Sequence, residues 1–206
     1  MTILKDNNNS IAIIGAGGHG KVIGDIAHLN GTKLIHFFDD DTKVLNKKYP
    51  YHIEGDCNVL LKKIKFYKNF FVSIGDNSAR SEKIKWLLKL KANIINLIHP
   101  NSNISRFVKF GKGICVMPNT VINSGCVIKD GVIINSSATI EHDTTIKNYS
   151  HICPGVTISG HVKIGSFCLL GSGTSIHPLI SIGNNVKVGV GSKIFRDILN
   201  NEIHKE

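Results

Sequence analysis

One histidine of the sequence stands directly between two carboxylates, in the segment Glu141-His142-Asp143. Histidine titrates near neutral pH, and an adjacent carboxylate can orient its ring for proton transfer. We therefore predict that His142 is a general base and that Asp143 supports it. His151 is a second candidate, because the N–H of its ring can polarise a carbonyl oxygen. These residue types indicate acid–base catalysis.

A glycine-rich loop near the start of the chain predicts a phosphate site. Gly15, Gly17 and Gly20 form a GxGxxG pattern between an apolar strand at residues 11–14 and a predicted helix at residues 21–29. Glycines let the backbone approach a phosphate closely, and the N-terminus of a helix offers free N–H groups. We expect this loop to bind the phosphates of a nucleotide.

Acidic and polar residues follow the next two predicted strands. Asp39 and Asp40 come about 20 residues after the glycine loop, where a ribose-binding carboxylate is expected. Residues 75–77 (Gly-Asp-Asn) follow the third strand on the same edge of the predicted sheet. A nicotinamide dehydrogenase would have this pattern, but residues 1–97 supply only about half of the six-stranded dinucleotide-binding unit. A mononucleotide site therefore fits better.

A strict six-residue period organises the rest of the chain. A helix requires apolar residues about every 3.6 positions and a strand every 2, so neither explains this period. Hexapeptide repeats are typical of β-helices, in which each short strand directs one aliphatic residue inward and three repeats close a triangular coil. Every sixth residue is aliphatic apart from one Phe, in the series Ile98, Ile104, Phe110, Val116, Ile122, Ile128, Ile134, Ile140, Ile146, Ile152, Ile158, Ile164, Leu170, Ile176, Ile182, Val188 and Ile194.

Two domains are expected, with a boundary near His99 and Pro100 where the period changes to six. Residues 98–206 form the β-helical domain, which ends in a polar tail after Ile194. Residues 1–97 begin with a polar leader at 1–10 and then alternate strands with helices, which indicates a small parallel sheet covered by helices. The predicted elements are strands at 11–14, 34–38, 70–74 and 94–98 and helices at 21–29, 59–64 and 78–91, the first with Val22, Ile23, Ile26 and Leu29 on one face.

Composition favours a soluble protein of a reducing cytoplasm. The net charge of +10 suits anionic partners such as nucleotides. Basic clusters are not interleaved with aromatic residues, so nucleic acid is not an expected partner, and no apolar run approaches the roughly 20 residues of a membrane span. The five cysteines lack a CxxC spacing and are interpreted as free thiols. The histidines at 142, 151, 161 and 177 occupy different positions of the repeat, so a three-histidine metal site within one chain is not expected. Ligands contributed by neighbouring subunits are left as an alternative, and the expected site contains no metal.

Several segments together make the chain resemble the PglD/NeuD-type family of sugar O- and N-acetyltransferases. The segments are GAGGHG, FFDD, SIGDN, NLIHP, INSSATIEHD and SHI, combined with the hexapeptide period. The resemblance covers nearly all of residues 11–194. It implies a Rossmann-like domain for a nucleotide sugar at 1–97 and a left-handed parallel β-helix at 98–206, with acetyl-CoA as co-substrate and no metal. It also implies a homotrimer, with the site between neighbouring β-helices.

The resemblance implies specific roles for the site residues. The histidine of the EHD-like segment is the general base in such proteins, which points to His142, with Asp143 supporting it. Asn135 would lie near the amine of the sugar, and His151 would contact the acetyl group of acetyl-CoA. The chain of CoA would run near Gly160, Ser172 and Val190. The nucleotide sugar would contact Gly17, Gly18, His19, Asp39, Asp40 and Gly75, with the two aspartates at the uracil.

The expected function is therefore acetyl transfer from acetyl-CoA to the amine of a UDP-linked 4-amino sugar in bacterial surface glycan biosynthesis, such as that of bacillosamine. Two alternatives remain. The first is O-acetylation of sialic acid or a similar sugar, in which the same base would deprotonate a hydroxyl group. The second is a non-catalytic nucleotide-binding module, which is favoured because residues 195–206 lack the GxPAK-like segment that helps relatives to enclose CoA.

Overall fold

A computed structural model of the protein describes residues 9–41, 43 and 48–205. The chain divides into two compact units, Met1–Leu97 and Ile98–Glu206. Most of the predicted polar leader lies outside the described residues. No helix in the described part of the chain has the length and apolar character that crossing a bilayer requires.

The first unit is built on a parallel sheet of four strands in the order β3-β2-β1-β4. Because β1 lies between two strands and beneath helices, all five of its residues are buried. The elements along the chain are β1 (Ser10–Ile14), α1 (Gly18–Leu29), β2 (Leu34–Phe38), β3 (His52–Gly55), α2 (Cys57–Lys62), a 3-10 turn (Ile64–Phe66), β4 (Asn69–Val72) and α3 (Asn77–Lys89).

Three expectations for this unit were wrong. The predicted strand at 94–98 does not join its sheet: Ile94 forms only an isolated bridge to Phe70, and Leu97–Ile98 is the first strand of the β-helix. The fourth strand is instead β3, whose short and partly polar sequence carries no alternating pattern. Helix α1 begins at Gly18 rather than at residue 21. Its buried face contains Ile23 and Ile26, whereas Val22 and Leu29 are exposed.

The second unit is a parallel β-helix with three faces. Face 1 contains β5 (Leu97–Ile98), β8 (Cys115–Val116), β11 (Ile133–Ile134), β14 (His151–Ile152), β17 (Leu169–Leu170), β20 (Lys187–Val188) and β22 (Ile203–His204). Face 2 contains β6 (Asn103–Ile104), β9 (Val121–Ile122), β12 (Thr139–Ile140), β15 (Thr157–Ile158), β18 (Ser175–Ile176) and β21 (Lys193–Ile194). Face 3 contains β7 (Lys109–Phe110), β10 (Val127–Ile128), β13 (Thr145–Ile146), β16 (Lys163–Ile164) and β19 (Ser181–Ile182).

Each coil takes three repeats, so residues at the same position of successive coils lie above one another, as Ile134, Ile152 and Leu170 do on face 1. The second residue of each strand points inward, and from Ile122 to Ile194 these side chains are at most 4 % exposed. Burial of each aliphatic side chain contributes about 1.5–3 kcal/mol, which offsets the entropy of ordering the coil.

A second inward position of the repeat contains small and polar side chains, which donate hydrogen bonds to backbone carbonyl oxygens further along the chain. Thr144 Oγ1 donates to the carbonyl oxygen of Ser159 at 3.1 Å, and Ser150 Oγ donates to that of Gly165 at 2.7 Å. The thiols of Cys126 and Cys168 make the same kind of contact, and both are buried and outside any disulfide. These bonds explain how polar side chains lie within the apolar interior, since the buried hydroxyl groups of Thr144 and Ser150 both have partners.

From Gly113 to Gly191, every sixth residue has a positive φ and lies in a turn between two faces. Asp143 and His161, which occupy the same position in successive coils, both have a φ of 58°. Side chains other than glycine adopt this region at a cost, but Asn, Asp and His adopt it more readily than most. The turns therefore fix the backbone at the edge that carries His142.

Ile152→Ala is expected to lower the free energy of unfolding of the β-helix by about 2–5 kcal/mol, because Ile152 is fully buried between Ile134 and Leu170. Urea denaturation followed by circular dichroism measures the change. Thr157→Ala is the matched control, since Thr157 is an exposed strand residue of the same coil, and it should change the free energy by less than about 0.5 kcal/mol. Equal losses for both variants would mean that the interior is not tightly packed.

Candidate active site

His142 lies on the edge between faces 2 and 3, in the turn from β12 to β13. Its Nδ1 is 2.9 Å from Oδ2 of Asp143, and both side chains are about half exposed, at 54 % and 51 %. A carboxylate accepts hydrogen bonds, so this contact places the ring hydrogen on Nδ1. Nε2 then carries a lone pair, as a general base requires.

Gly160 provides the surface on which the imidazole rests. It lies one coil after His142, and a Cβ at Gly160 would be 2.8 Å from Cε1 and Nε2 of His142. Any side chain at this position would displace the ring. The structure thus places Gly160 against the imidazole, on a different edge from the other residues expected along CoA, Ser172 and Val190.

A second group of the predicted residues lies on face 1 and on the edge between faces 1 and 2. Asn135 follows β11, and His151 is the first residue of β14. Oδ1 of Asn135 accepts from the N–H of Ser136 at 2.9 Å, which directs Nδ2 to Nε2 of His151 at 3.2 Å. Because Nδ2 can only donate, Nε2 of His151 accepts, and the ring hydrogen is on Nδ1.

Ser172 and Val190 share this second edge, since they lie in the turns from β17 to β18 and from β20 to β21. Val190 is 80 % exposed. The residues predicted for acetyl transfer therefore fall into two groups on different edges of the triangle. His142, Asp143 and Gly160 form one group, and Asn135, His151, Ser172 and Val190 form the other.

The first unit contains a cavity of about 470 Å³ at the carboxyl ends of its strands. This cavity brings together the six residues that the sequence predicted for the nucleotide sugar: Gly17, Gly18, His19, Asp39, Asp40 and Gly75. The carboxyl edge of an open parallel sheet is where ligands bind in such folds. Gly17 and Gly18 have open space beyond their Cα atoms, so their backbone is accessible from the cavity.

The two aspartates of the cavity already accept hydrogen bonds from other residues of the protein. Asp39 accepts from the N–H of Ala16 at 2.7 Å and from the N–H of Asp41 at 2.9 Å, so it anchors the glycine loop. Asp40 accepts from the N–H of Cys57 at 2.9 Å and from Nζ of Lys83 at 2.6 Å. Burial opposes the ionised form of Asp40, but the bonds from Lys83 and Cys57 outweigh it and lower its pKa.

Lys83 is a residue of this cavity that the sequence did not single out. Burial opposes its charge, but its hydrogen bond to Asp40 raises its pKa, so the ammonium group is retained. It lies on α3, for which the sequence predicted only a helix at residues 78–91. The positive charge of Lys83 favours binding of an anionic ligand, because it offsets part of the repulsion between that ligand and the carboxylates of the cavity. The available signal was weak, since one lysine among several on a helix does not reveal which points to the strand ends.

His19 lines the same cavity, and Arg80 holds the backbone of its Gly75 wall. Burial, and secondarily the charge of Arg80, lower the pKa of His19 to about 4, so its ring is neutral at pH 7. Nε2 of His19 is buried and has no hydrogen-bond partner among the described residues. Arg80 is 1 % exposed, and its guanidinium donates to the carbonyl oxygens of Ile74 and Gly75 at 3.0 and 2.9 Å. This fixes the Gly75 turn at the wall of the cavity.

Asp76 and Asn77, which follow Gly75, have structural partners. Asp76 caps α3 by accepting from the N–H of Ala79 at 2.8 Å, and Oδ1 of Asn77 accepts from Arg80 at 2.7 Å. Capping of this kind typically contributes about 1 kcal/mol. The sequence left open whether these residues bind a ligand, and their hydrogen bonds favour a role in the turn.

Comparison with known protein families and structures agrees with this architecture. Residues 10–87 match the family described as the PglD N-terminal domain, and residues 125–160 match the bacterial transferase hexapeptide family of six repeats. A UDP-N-acetylbacillosamine N-acetyltransferase from Bacillus subtilis (strain 168) is 33 % identical over 110 residues. That match covers 52 % of this chain and about half, 51 %, of the relative's length.

Two solved structures match over nearly the whole chain. The acetyltransferase domain of PglB from Neisseria gonorrhoeae FA1090, in complex with acetyl coenzyme A, is 33 % identical with a TM-score of 0.90, covering 95 % of both chains. A mutant of perosamine N-acetyltransferase from Caulobacter crescentus, in complex with CoA and GDP-perosamine, is 28 % identical with a TM-score of 0.90, covering 94 % of this chain and 92 % of that one.

These similarities confirm the predicted fold class, a Rossmann-like α/β half-unit followed by a left-handed parallel β-helix. They also confirm the resemblance on which the expected activity was based. The hexapeptide period, the PglD N-terminal domain and a match at 33 % identity over 95 % of the chain lead to one assignment. The chain belongs to the PglD-type family of hexapeptide-repeat sugar acetyltransferases.

Proposed function

We propose that the protein transfers the acetyl group of acetyl-CoA to the amine of a nucleotide-linked amino sugar. The observation that carries the proposal is the pair of His142 and Asp143, with Nε2 of the imidazole free of the carboxylate contact. Support comes from the similar proteins, since one was solved with acetyl-CoA and another with CoA and a GDP-linked sugar.

The reaction proceeds by direct transfer. Nε2 of His142 takes a proton from the sugar amine as its nitrogen attacks the thioester carbonyl carbon. Asp143 stabilises the imidazolium that forms, and a donor such as His151 stabilises the oxyanion of the tetrahedral intermediate. The C–S bond then breaks and the CoA thiolate receives the proton. The products are CoA and the N-acetylated sugar, and no covalent enzyme intermediate is required.

A second copy of the chain completes this site in our proposal. His142 and Asp143 lie on one edge of the triangle, whereas Asn135 and His151 belong to face 1 and the next edge. Groups on different edges of one packed coil are separated by its interior, so they meet only when the edge of one copy faces that of another. A homotrimer satisfies this requirement through a cyclic, head-to-tail interface. Acetyl-CoA would lie along the edge with Ser172 and Val190.

The nucleotide part of the substrate is proposed to bind in the cavity of the first unit. The backbone of Gly17 and Gly18 at the beginning of α1 would bind the diphosphate, and Lys83 would offset its charge. Nε2 of His19, which lacks a partner among the described residues, offers a further hydrogen bond. Asp39 and Asp40 would form the wall of the cavity next to the nucleobase. We propose a UDP-linked 4-amino sugar as the substrate, and the cytoplasm, where free thiols persist, as the location.

Gly18→Leu is expected to raise KM for the nucleotide sugar roughly tenfold while kcat stays near the wild-type value. A Cβ at Gly18 meets no described atom within 4 Å, so the larger side chain enters the cavity without disturbing the fold. Steady-state kinetics measures both constants. His28→Leu is the control, because His28 is an exposed residue at the other end of α1. An unchanged KM in the Gly18 variant would place the nucleotide elsewhere.

Thiol release from acetyl-CoA, measured with UDP-, GDP- and dTDP-linked amino sugars, tests the proposed activity. Mass spectrometry and NMR of the product identify the acetylated atom. We expect one CoA released for each amide formed. An ester product would instead establish O-acetylation, and nucleotide binding without thiol release would establish a non-catalytic module.

A further inference from the structure

His161 approaches the same carboxylate as His142. Its Nε2 is 3.7 Å from Oδ2 of Asp143, and the two imidazole rings lie 5.2 Å apart at 90°. His161 stands one coil after Asp143, at the same position of the repeat, and the backbone N–H of His161 donates to the carbonyl oxygen of His142 at 3.0 Å. Two ring nitrogens and one carboxylate oxygen are thus held together by adjacent coils.

The distances among these atoms suit a divalent transition metal. In a tetrahedral zinc site with bonds of about 2.0–2.1 Å, neighbouring ligand atoms lie about 3.3–3.4 Å apart. The contacts from Asp143 to the two histidines, 2.9 and 3.7 Å, bracket this value, and the three ligand atoms all lie within 4.8 Å of one another. Small rotations of exposed side chains are sufficient to close the remaining difference.

The cluster is open to solvent. The three side chains are 51–56 % exposed, so water can supply a fourth ligand. Gly125 lies directly below Asp143, and a Cβ there would be 2.3 Å from Oδ1 of Asp143. The other such cluster among the described residues contains His36, His52 and Glu54. It is less suitable, because the carboxylate of Glu54 already forms an ion pair with Nζ of Lys63.

We propose that His142, Asp143 and His161 form a binding site for Zn²⁺, which inhibits the enzyme when bound. Two imidazoles and one carboxylate form the ligand set that zinc uses in sites with an open position. The nitrogen of His142 that lies beside Asp143 is Nδ1, so the ion replaces the ring hydrogen there. In the neutral ring that hydrogen then sits on Nε2, which no longer has the lone pair of the base. The ion takes no part in the transfer reaction and acts only by occupying its base. The inhibition rests on the proposed function, whereas the binding does not.

The binding is tested on the full-length protein without substrates, by calorimetry with ZnCl₂ and by the visible absorption of bound Co²⁺. Wild type should bind one Zn²⁺ per chain at this site. His161→Asn should weaken Zn²⁺ binding at least about tenfold. Loss of a group that only hydrogen-bonds to a metal ligand typically lowers metal affinity by about 10–100-fold, and loss of the ligand itself should cost no less. Asparagine tolerates the positive φ at this position, so the fold is retained.

His177→Asn is the matched control, since His177 is an exposed histidine on the same edge of the β-helix and lies outside the cluster. It should bind Zn²⁺ as wild type does. Equal affinity in the His161 variant, absence of binding by wild type, or thiolate charge-transfer absorption from the Co²⁺ complex would each overturn the proposed site. If Zn²⁺ binds as expected but leaves acetyl transfer unaffected, the site stands and the role of His142 as base is contradicted.

Discussion

His142→Ala is expected to lower kcat by about 10²–10⁴-fold, the usual contribution of a positioned general base. The sugar amine would then have to lose its proton to water during attack on the thioester. Thiol release at saturating concentrations of both substrates measures the loss. The affinity for acetyl-CoA should change little, because the proposed CoA edge carries Ser172 and Val190 rather than His142.

His177→Ala serves as the control for this variant, because it removes an exposed histidine from the same edge without touching Asp143. Its kcat should stay near the wild-type value. Circular dichroism should show the same β-helix in both variants, since the His142 side chain is about half exposed and contributes little to the interior. Turnover near the wild-type level in His142→Ala would reject the assignment of the base.

Mixing two inactive variants is expected to restore activity if the site is shared between copies. His151→Ala should lower kcat by about 10²–10³-fold, as loss of an oxyanion donor does. In trimers refolded from equal amounts of His142→Ala and His151→Ala, an intact site forms wherever an unaltered His142 edge faces an unaltered His151 edge. For random assembly this is about one quarter of the sites, so activity should rise to about one quarter of the wild-type value.

The control for this experiment is a pair of variants altered on the same edge, His142→Ala and Asp143→Ala. The two side chains are in direct contact within one chain, so no mixture of these variants restores an intact pair. Its activity should remain at the level of the separate proteins. If His142→Ala and His151→Ala also fail to restore activity although mixed trimers form, the two edges do not contribute to a common site.

The β-helix was predictable from the sequence because its geometry is periodic. One inward aliphatic residue per strand and one turn per repeat leave a pattern that runs from Ile98 to Ile194. The first unit was less predictable, since its strands are few and partly polar. The segment at 94–98 had the composition of a strand, but its last two residues pair with the coils of the β-helix instead.

The candidate site was predictable in its residues more than in its contacts. The GAGGHG, FFDD and SIGDN segments identified six residues that one cavity brings together. The contact between Asn135 and His151, by contrast, joins residues of adjacent coils, and it depends on side-chain direction. His161 was missed for a simpler reason. Its repeat position was compared with those of the other histidines, whereas its neighbour is Asp143, one coil earlier.

A structure of the protein with CoA and its nucleotide-linked amino sugar is the most direct measurement of the role given to His142. We predict that the amine nitrogen of the sugar lies about 2.6–3.2 Å from Nε2 of His142, directly or through one water molecule. Asp143 should still accept the hydrogen bond from Nδ1 of His142. The CoA sulfur should lie beside the amine, on the edge of a second copy. An amine bound away from His142, or a sulfur far from it, would contradict the account.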